Sequence, residues 1–524
     1  MNIIPRPNHL VRDDAPSFVW ENGCGVWFAP QLAACKEAFC AYISENTCVP
    51  YIEVSEEKAA IRFYYNAKRK AEGYTLAIAS HSIIVTASSA AGAFYAIQSL
   101  RLLLEADLPH KRYTCPCMHI QDAPAFAWRG VHLDSARHFT EKDEVLKIMH
   151  MMALCKMNVL HMHLTDDQGF RIPIQKYPEI NRVATVRHGT QLHFSRSEEY
   201  DTADYAAQYT REDIAEIVAF GKQNHIRVVP EFDIPGHCLA LIAAMPQLSC
   251  KGEKLDVWPK FGISDDILCA GKAEVYTVIK DIIDEIIALF DPEYIHLGGD
   301  EAPKKRWEQC PHCQAKIKAL GLADEHALQA HMFNELSAYA LSKGVKVIGW
   351  NECLNDQLDI GVINEHWFPK NLADTTEHLN RGRATIFSYY NAYYFDFPYA
   401  GTPMNVTYQQ DIVPKGTPKD KAKQVLGIEC CAWSEWLRRR ENLEYHLFPR
   451  LFAVAERAWT RGKNYAAFIE SLGAYRPLLE AKDICYAKQV FTNQRYRRSD
   501  KAIKEFYYSN GGGEFERMTG LANE

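Results

Sequence analysis

The 524-residue sequence has no uninterrupted apolar run long enough to cross a bilayer, which argues against a helical membrane protein. Basic blocks are missing as well, apart from Arg438-Arg439-Arg440, and 59 Lys and Arg against 66 Asp and Glu leave a net charge of −7. A nucleic-acid surface needs the opposite balance, so neither nucleic acid nor membrane is expected as a partner. No repeat recurs at a period of roughly 20 to 50 residues and no low-complexity tract interrupts the chain, which excludes solenoids and arrays. There is no H-E-x-x-H, and no second C-x-x-C completes Cys310-Pro-His-Cys313. That pair has the spacing of half a zinc site or of a redox pair; without a compact ligand set, no metal and no cofactor is expected. The opening Met-Asn-Ile-Ile-Pro-Arg-Pro shows no basic segment followed by an apolar stretch. As written it reads as cytoplasmic, and as periplasmic or secreted if a leader has been removed.

Sixteen cysteines remain to be placed, and many, such as Cys155, Cys238, Cys430 and Cys431, lie inside apolar segments, where a reduced buried thiol is expected. Cys250 and Cys269 flank a loop and would bridge in an oxidising compartment. With 47% hydrophobic and 24% charged residues the chain is ordinary globular protein, long enough for one barrel-sized unit and smaller pieces.

Alternation from Tyr74 to Ala87 across a Ser-His-Ser break predicts a hairpin, and Phe94, Ile97, Leu100 and Leu104 predict the helix that follows. With Tyr51 to Tyr65 these form a small α+β domain over residues 1–122, closed at Pro124. Residues 123–465 then alternate short β-rich runs with helical stretches. The runs are Arg129–Asp134, Asn158–Leu164, Ile226–Phe232, Tyr294–Gly299, Lys346–Trp350, Val362–Trp367, Ala384–Tyr389 and Val425–Cys431. Intervening helices are expected at Glu141–Met157, Arg211–His225, Ala273–Phe290, Glu325–Lys343, Leu372–Arg381 and Asn442–Trp459. Eight such units make the fold class α/β, a (β/α)8 TIM barrel preceded by the α+β domain, with long loops after strands two, three and seven. Residues 466–524 form an extension with a flexible Gly511-Gly512-Gly513 spot and no assigned role.

Catalytic groups of this fold lie at the C-terminal ends of the strands. Read to its end, each run yields acids and aromatics: Asp134; Asp166 and Asp167; Asp233 and His237; Asp300 and Glu301; Trp350 and Glu352; His366 and Trp367; Tyr390; Trp433 and Glu435. Such a rim suits a sugar, whose hydroxyls donate to carboxylates while its apolar face lies on aromatic rings. Adjacent strand residues face opposite ways, so Asp300 and Glu301 can share a pocket only where the strand ends and the chain bends, and Gly298-Gly299 precedes them.

At this point several long motifs, in order, resemble the β-N-acetylhexosaminidases of glycoside hydrolase family 20. They are Arg129-Gly130; Leu133-Asp134-Ser-Ala-Arg137-His138-Phe139; His161-Met-His163-Leu-Thr-Asp166-Asp167-Gln168-Gly-Phe-Arg171; Pro230-Glu231-Phe-Asp233-Ile-Pro235-Gly236-His237; His296-Leu-Gly-Gly-Asp300-Glu301; Gly349-Trp350-Asn-Glu352; Tyr394-Phe-Asp396; and Trp433-Ser-Glu435. The resemblance implies retaining, exo-acting, substrate-assisted removal of terminal β-linked N-acetylhexosamine from glycans, with the substrate's acetamido oxygen as nucleophile. By the same resemblance Glu301 is the acid and base, and Asp300 orients the acetamido group. Arg129 clamps ring hydroxyls opposite Asp396 and Glu435; Trp350, Trp367 and Trp433 wall the acetamido pocket beside the Tyr394 hydroxyl; Asp166 and His237 tune the acid. The loop Thr402–Pro418 departs from the family pattern by offering Tyr408 and no tryptophan at the pocket mouth. A lacto-N-biosidase of the same fold and a non-catalytic glycan-binding barrel are the alternatives, separated by pocket depth and by turnover.

Overall fold

The computed structural model describes residues 3–44, 50–110, 112–192, 198–399, 401–488 and 492, so Gly511–Gly513 and most of the expected extension lie outside the described residues. Each of the eight β-rich runs forms one strand of a closed parallel barrel: β1 (Trp128–Asp134), β2 (Val159–His163), β3 (Arg227–Glu231), β4 (Tyr294–His296), β5 (Lys346–Trp350), β6 (Ile363–His366), β7 (Thr385–Phe387) and β8 (Val425–Ala432). β8 closes on β1 with Arg129 opposite Ile428 and Leu133 opposite Ala432. The chain forms a TIM barrel because β-branched, doubly buried runs alternate with one-sided helices.

The helices between and after the strands include α1 (Lys142–Leu154), α2 (Arg211–Gln223), α3 (Ala273–Phe290), α4 (Pro311–Leu320), α5 (Glu325–Ser342), α6 (Leu372–Arg381), α7 (Arg440–Leu447) and α8 (Arg450–Trp459). Val275, Ile279, Ile282, Ile286 and Phe290 make the buried stripe of α3. A Thr210–Asp213 capping box starts α2, and Asp324 caps α5 by accepting from the Ala327 N–H. The single helix expected over Asn442–Trp459 is two helices, because Pro449 has no N–H to continue the ladder of α7.

Inside the barrel Trp128, Val159, Val229, Tyr294, Ile348, Ile363 and Ile386 form an apolar plug. Above it the interior is polar: His132, His161, Glu231, His296, Glu365 and Glu429 are all buried. Burying so many ionisable groups is costly unless they pair. Glu231 accepts from the Trp350 indole at 2.8 Å and meets His296 Nδ1 at 3.0 Å and His163 Nδ1 at 2.5 Å, while Glu429 meets His161 Nδ1 at 2.7 Å and the Trp128 indole at 2.8 Å.

The preceding domain carries a sheet in the order His9–Arg12, Met118–Asp122, Tyr74–Ala79, Ser82–Ala87, Ile61–Tyr65, Cys24–Phe28, Tyr51–Glu53, with helices Cys35–Ser44 and Ala90–Leu103 packed together. Its contact with the barrel combines an apolar core continuous through both units with buried polar pairs. Lys156, fully buried, donates to Tyr74 Oη at 2.9 Å and lies 3.5 Å from Asp122, which also accepts from the Trp459 indole at 2.8 Å.

Candidate active site

The rim at the C-terminal ends of the strands gathers every site residue expected from sequence except Arg129. After β4 ends at His296 the chain turns sharply: Gly298, Gly299 and Glu301 have φ of 62°, 101° and 44°. Positive φ strains a non-glycine residue, and such strain is characteristic of functional positions. A side chain at Gly299 would meet Cys353 Sγ at 2.2 Å and the Phe333 ring at 2.6 Å, so only glycine fits there. This bend turns Asp300 and Glu301 toward one place. His237, itself at φ 50°, reaches both, its Nε2 lying 3.7 Å from Asp300 Oδ2 and 3.6 Å from Glu301 Oε2.

Behind His237 a line of buried charge runs into the barrel. His237 Nδ1 is 3.1 Å from Asp166 Oδ1; Asp166 Oδ2 meets His163 Nε2 at 2.9 Å; and His163 passes the line on to Glu231, which holds the Trp350 indole. Burial alone would make the His237 imidazole a weaker base, but its hydrogen bond to Asp166 and the nearby Glu301 and Asp300 carboxylates outweigh it and hold the ring protonated. Burial likewise opposes ionisation of Asp166, and the Arg137 and His237 charges overcome it, so this carboxyl stays well below its usual range. Asp300 goes the other way: burial pushes it up to about 6, with His237 opposing and the Glu301 charge adding to the shift. Its Oδ1 is buried without a hydrogen-bond partner among the described residues, whereas the Glu301 side chain is 36% exposed. One carboxylate is thus buried beside the rim aromatics and its neighbour is open to solvent.

The pocket wall is aromatic. Trp350 and Tyr394 are buried, Trp367 and Trp433 half-buried, and all four belong to one cluster. Trp367 stacks on Tyr394 with centroids 5.8 Å apart, and Trp433 lies 6.0 Å from Trp350 and 6.1 Å from Tyr394. The Trp367 indole donates to Glu352 at 2.8 Å, and burial followed by the Asp300 charge pushes Glu352 up to about 8. Across the rim, Asp396 and Glu435 are both held above the usual carboxylate range, by burial first; Glu435 then raises Asp396, while Arg137 pulls Glu435 down.

Arg129 is elsewhere. It is the second residue of β1, fully buried, with Nη1 and Nη2 donating to Glu72 at 3.0 and 2.8 Å, Nη2 to the Tyr95 hydroxyl at 3.0 Å and Nε to the Lys156 carbonyl at 2.8 Å. Five residues of extended strand, about 16 Å, separate it from Asp134 at the rim. The rim arginine is Arg137. Asp134 at the end of β1 accepts from the N–H groups of Ala136 and Arg137, folding the chain so that Arg137 Nη2 meets Asp166 Oδ2 at 2.6 Å while its guanidinium lies 5.1 Å from the Trp433 ring. Its signal in the sequence is its place three residues beyond a strand-ending aspartate. Glu231 and His163 were equally missed, since they act from inside the strands. Tyr408 is buried against Tyr465 and Phe468, so it does not supply an aromatic at the mouth.

Cys155, Cys238, Cys430 and Cys431 are buried free thiols as expected, but four other cysteines depart from expectation. All four of Cys250, Cys269, Cys310 and Cys313 are free thiols that converge on one point, so Cys310 and Cys313 have partners that local spacing did not reveal, and Cys250 and Cys269 are unbridged.

Sequence profiles agree with this architecture. The profile described as glycosyl hydrolase family 20, catalytic domain, matches residues 126–462, and that of glycosyl hydrolase family 20, domain 2, matches residues 1–123. A β-hexosaminidase of Porphyromonas gingivalis is 32% identical over 90% of this chain, which spans 62% of that relative's length. A family 20 exo-β-N-acetylglucosaminidase of Vibrio harveyi, solved with N-acetylglucosamine, superposes with a TM-score of 0.83 at 26% identity, covering 93% of this chain and 78% of that one. A β-N-acetylhexosaminidase of Bacteroides fragilis does so with a TM-score of 0.80 at 26% identity, covering 95% and 99%. Barrel, companion domain and profile matches together establish that the chain belongs to glycosyl hydrolase family 20.

Proposed function

We propose that this glycosidase removes terminal, non-reducing, β-linked N-acetylglucosamine or N-acetylgalactosamine from glycans, with retention and with the substrate's own acetamido group as nucleophile. The observation that carries the reading is the split environment of the adjacent acids: Asp300 turned into an aromatic pocket with an unpartnered oxygen, Glu301 open at the mouth, one imidazole touching both. In the first step the acetamido carbonyl oxygen bonds to the anomeric carbon as the glycosidic bond breaks, and Glu301 gives its proton to the departing oxygen. Asp300 accepts from the acetamido N–H and offsets the positive charge of the oxazolinium ring, while the Tyr394 hydroxyl donates to the oxygen that attacks. Water then adds to the anomeric carbon from the side the leaving group vacated, losing its proton to Glu301, and the acetamido group reforms. Trp350, Trp367 and Trp433 exclude water from the acetamido methyl. His237 and Asp166 position Glu301. Asp396 and Glu435 accept from the ring hydroxyls beyond, and the arginine that completes this clamp is Arg137 rather than Arg129.

The test is a panel of aryl β-N-acetylglucosaminides and galactosaminides with no metal added. Wild-type turnover should persist in EDTA, and Glu301→Gln should lose about 10²- to 10⁴-fold in kcat on substrates whose leaving group needs a proton. A wild type inert on the whole panel, or a Glu301→Gln variant at full rate, overturns the reading.

A further inference from the structure

Four cysteine sulfurs from three separate stretches of chain meet beside the segment that carries Glu301. Cys250 and Cys269 bound the long loop after β3, whose base is pinned by a bridge between Ser249 and Leu268. Cys310 precedes α4, and Cys313 lies in its first turn. Sγ–Sγ distances are 3.6 Å for Cys269–Cys313, 3.7 Å for Cys269–Cys310 and 4.0 Å for Cys250–Cys313, and all four sulfurs lie within 4.8 Å of one another.

These distances discriminate between chemistries. A disulfide needs about 2.05 Å between sulfurs, far shorter than any of them. Four thiolates at about 2.3 Å from a tetrahedral Zn²⁺ stand about 3.8 Å apart along each edge, close to the 3.6, 3.7 and 4.0 Å of three of the six sulfur pairs, with the others within 4.8 Å. Cys269, Cys310 and Cys313 are buried and Cys250 is half-buried, so the arrangement is closed and has no position for a substrate. The surrounding backbone is shaped for close approach: a side chain on Gly271 would fall 2.2 Å from the His312 carbonyl carbon. The N-terminus of the ten-residue α4 favours the negative charge that thiolate ligands bring.

We propose that Cys250, Cys269, Cys310 and Cys313 form a structural tetrathiolate zinc site, separate from the catalytic pocket. Binding releases the thiol protons and leaves a complex of net charge −2, so the metal is held more tightly as pH rises. Its position says what it does. The loop between Cys250 and Cys269 sends the Trp258 N–H to the Asp167 carbonyl and the Ser264 N–H to the Asp167 carboxylate, next to Asp166. The segment after Glu301 is tied to the same loop by Arg306 on Asp266 at 2.8 and 3.0 Å and by the Trp307 indole on the Leu268 carbonyl at 2.8 Å. Zinc would fasten the loop that backs Asp166 to the segment that follows the catalytic acid.

The test uses the full-length protein, purified under reducing conditions and passed over chelating resin before metal analysis. One zinc per chain is expected, retained in EDTA and released as a mercurial titrates the thiols; the cobalt-substituted protein should show thiolate-to-cobalt charge transfer and the intense visible bands of a tetrahedral CoS4 centre. Cys313→Ser should retain less than a tenth of the zinc, whereas Cys40→Ser, exposed and remote, should keep all of it. Wild-type protein free of zinc and giving no cobalt spectrum, iron in place of zinc, or a native disulfide among these four would each overturn the proposal, whether or not the serine variant folds. Full metal content with no glycosidase activity would sink the functional reading and leave the zinc site standing.

Discussion

Asp300 is a residue that the fold holds at a cost. Burial raises its carboxyl to about 6, so between pH ~4 and ~6 the unfolded chain has released a proton that the folded chain still holds. Stability is therefore lost as pH rises through that window, and under the proposed function the ionised carboxylate is carried above it to accept from the acetamido N–H. Asp300→Asn should remove the penalty: at pH 8 the variant should be about 3 kcal/mol more stable than the wild type, the gain fading near pH 4, while kcat falls by two orders of magnitude or more. The acid limb of wild-type kcat/KM should fall as pH drops through about 6. Paired melting and rate profiles check this, and a variant no more stable at pH 8 would show that the environment does not penalise the charge. An N-trifluoroacetyl substrate should also react more slowly than its parent; equal rates would argue against assistance by the acetamido oxygen. Residues at strand ends, such as Asp300 and Trp350, were legible because the barrel gives them an address. Arg129 and Arg137 were not told apart, since both accompany the same strand and only the turn capped by Asp134 brings one of them to the rim.

At the scale of elements, all eight strands were legible because doubly buried parallel strands read as short apolar runs and the helices between them as one-sided stripes. What sequence period could not show was the polar interior, where Glu231 and His163 carry the line from His237 to Trp350. Nor could it bring Cys250 and Cys269 to Cys310, because a loop closure that joins distant residues leaves no local spacing. The bend after β4 is the element on which the site depends. Gly299→Ala should force a Cβ against Cys353 and Phe333 while demanding φ near 101°, at a cost of about 2–4 kcal/mol from overpacking and strain together. The expected outcome is a lower melting temperature and at least a tenfold drop in kcat, since Asp300 and Glu301 ride on the displaced backbone. A variant as stable and as active as the wild type would mean the bend does not set the acid geometry.

For the whole molecule, the contact between barrel and companion domain gives Arg129 its role. The guanidinium closes the underside of the barrel by pairing with Glu72 and Tyr95 of the preceding domain, and Lys156 reaches into the same domain toward Tyr74 and Asp122. Fully buried cations recognised by a neighbouring domain couple the two units more firmly than an exposed polar interface would. Arg129→Met keeps much of the apolar stem and removes the charge, leaving Glu72 without its bidentate partner; truncating one side of a buried pair costs about 3–5 kcal/mol. The variant should therefore melt several degrees lower, while kcat and KM at a temperature where it stays folded remain within about twofold of wild type, because the lesion is about 16 Å from the rim. Arg137→Lys should do the reverse, retaining the melting temperature to within a few degrees and weakening kcat/KM by about tenfold to a hundredfold through loss of the planar fork. A raised KM with unchanged melting in Arg129→Met would return that residue to the sugar and undo the division between an arginine that joins domains and one proposed to face the substrate.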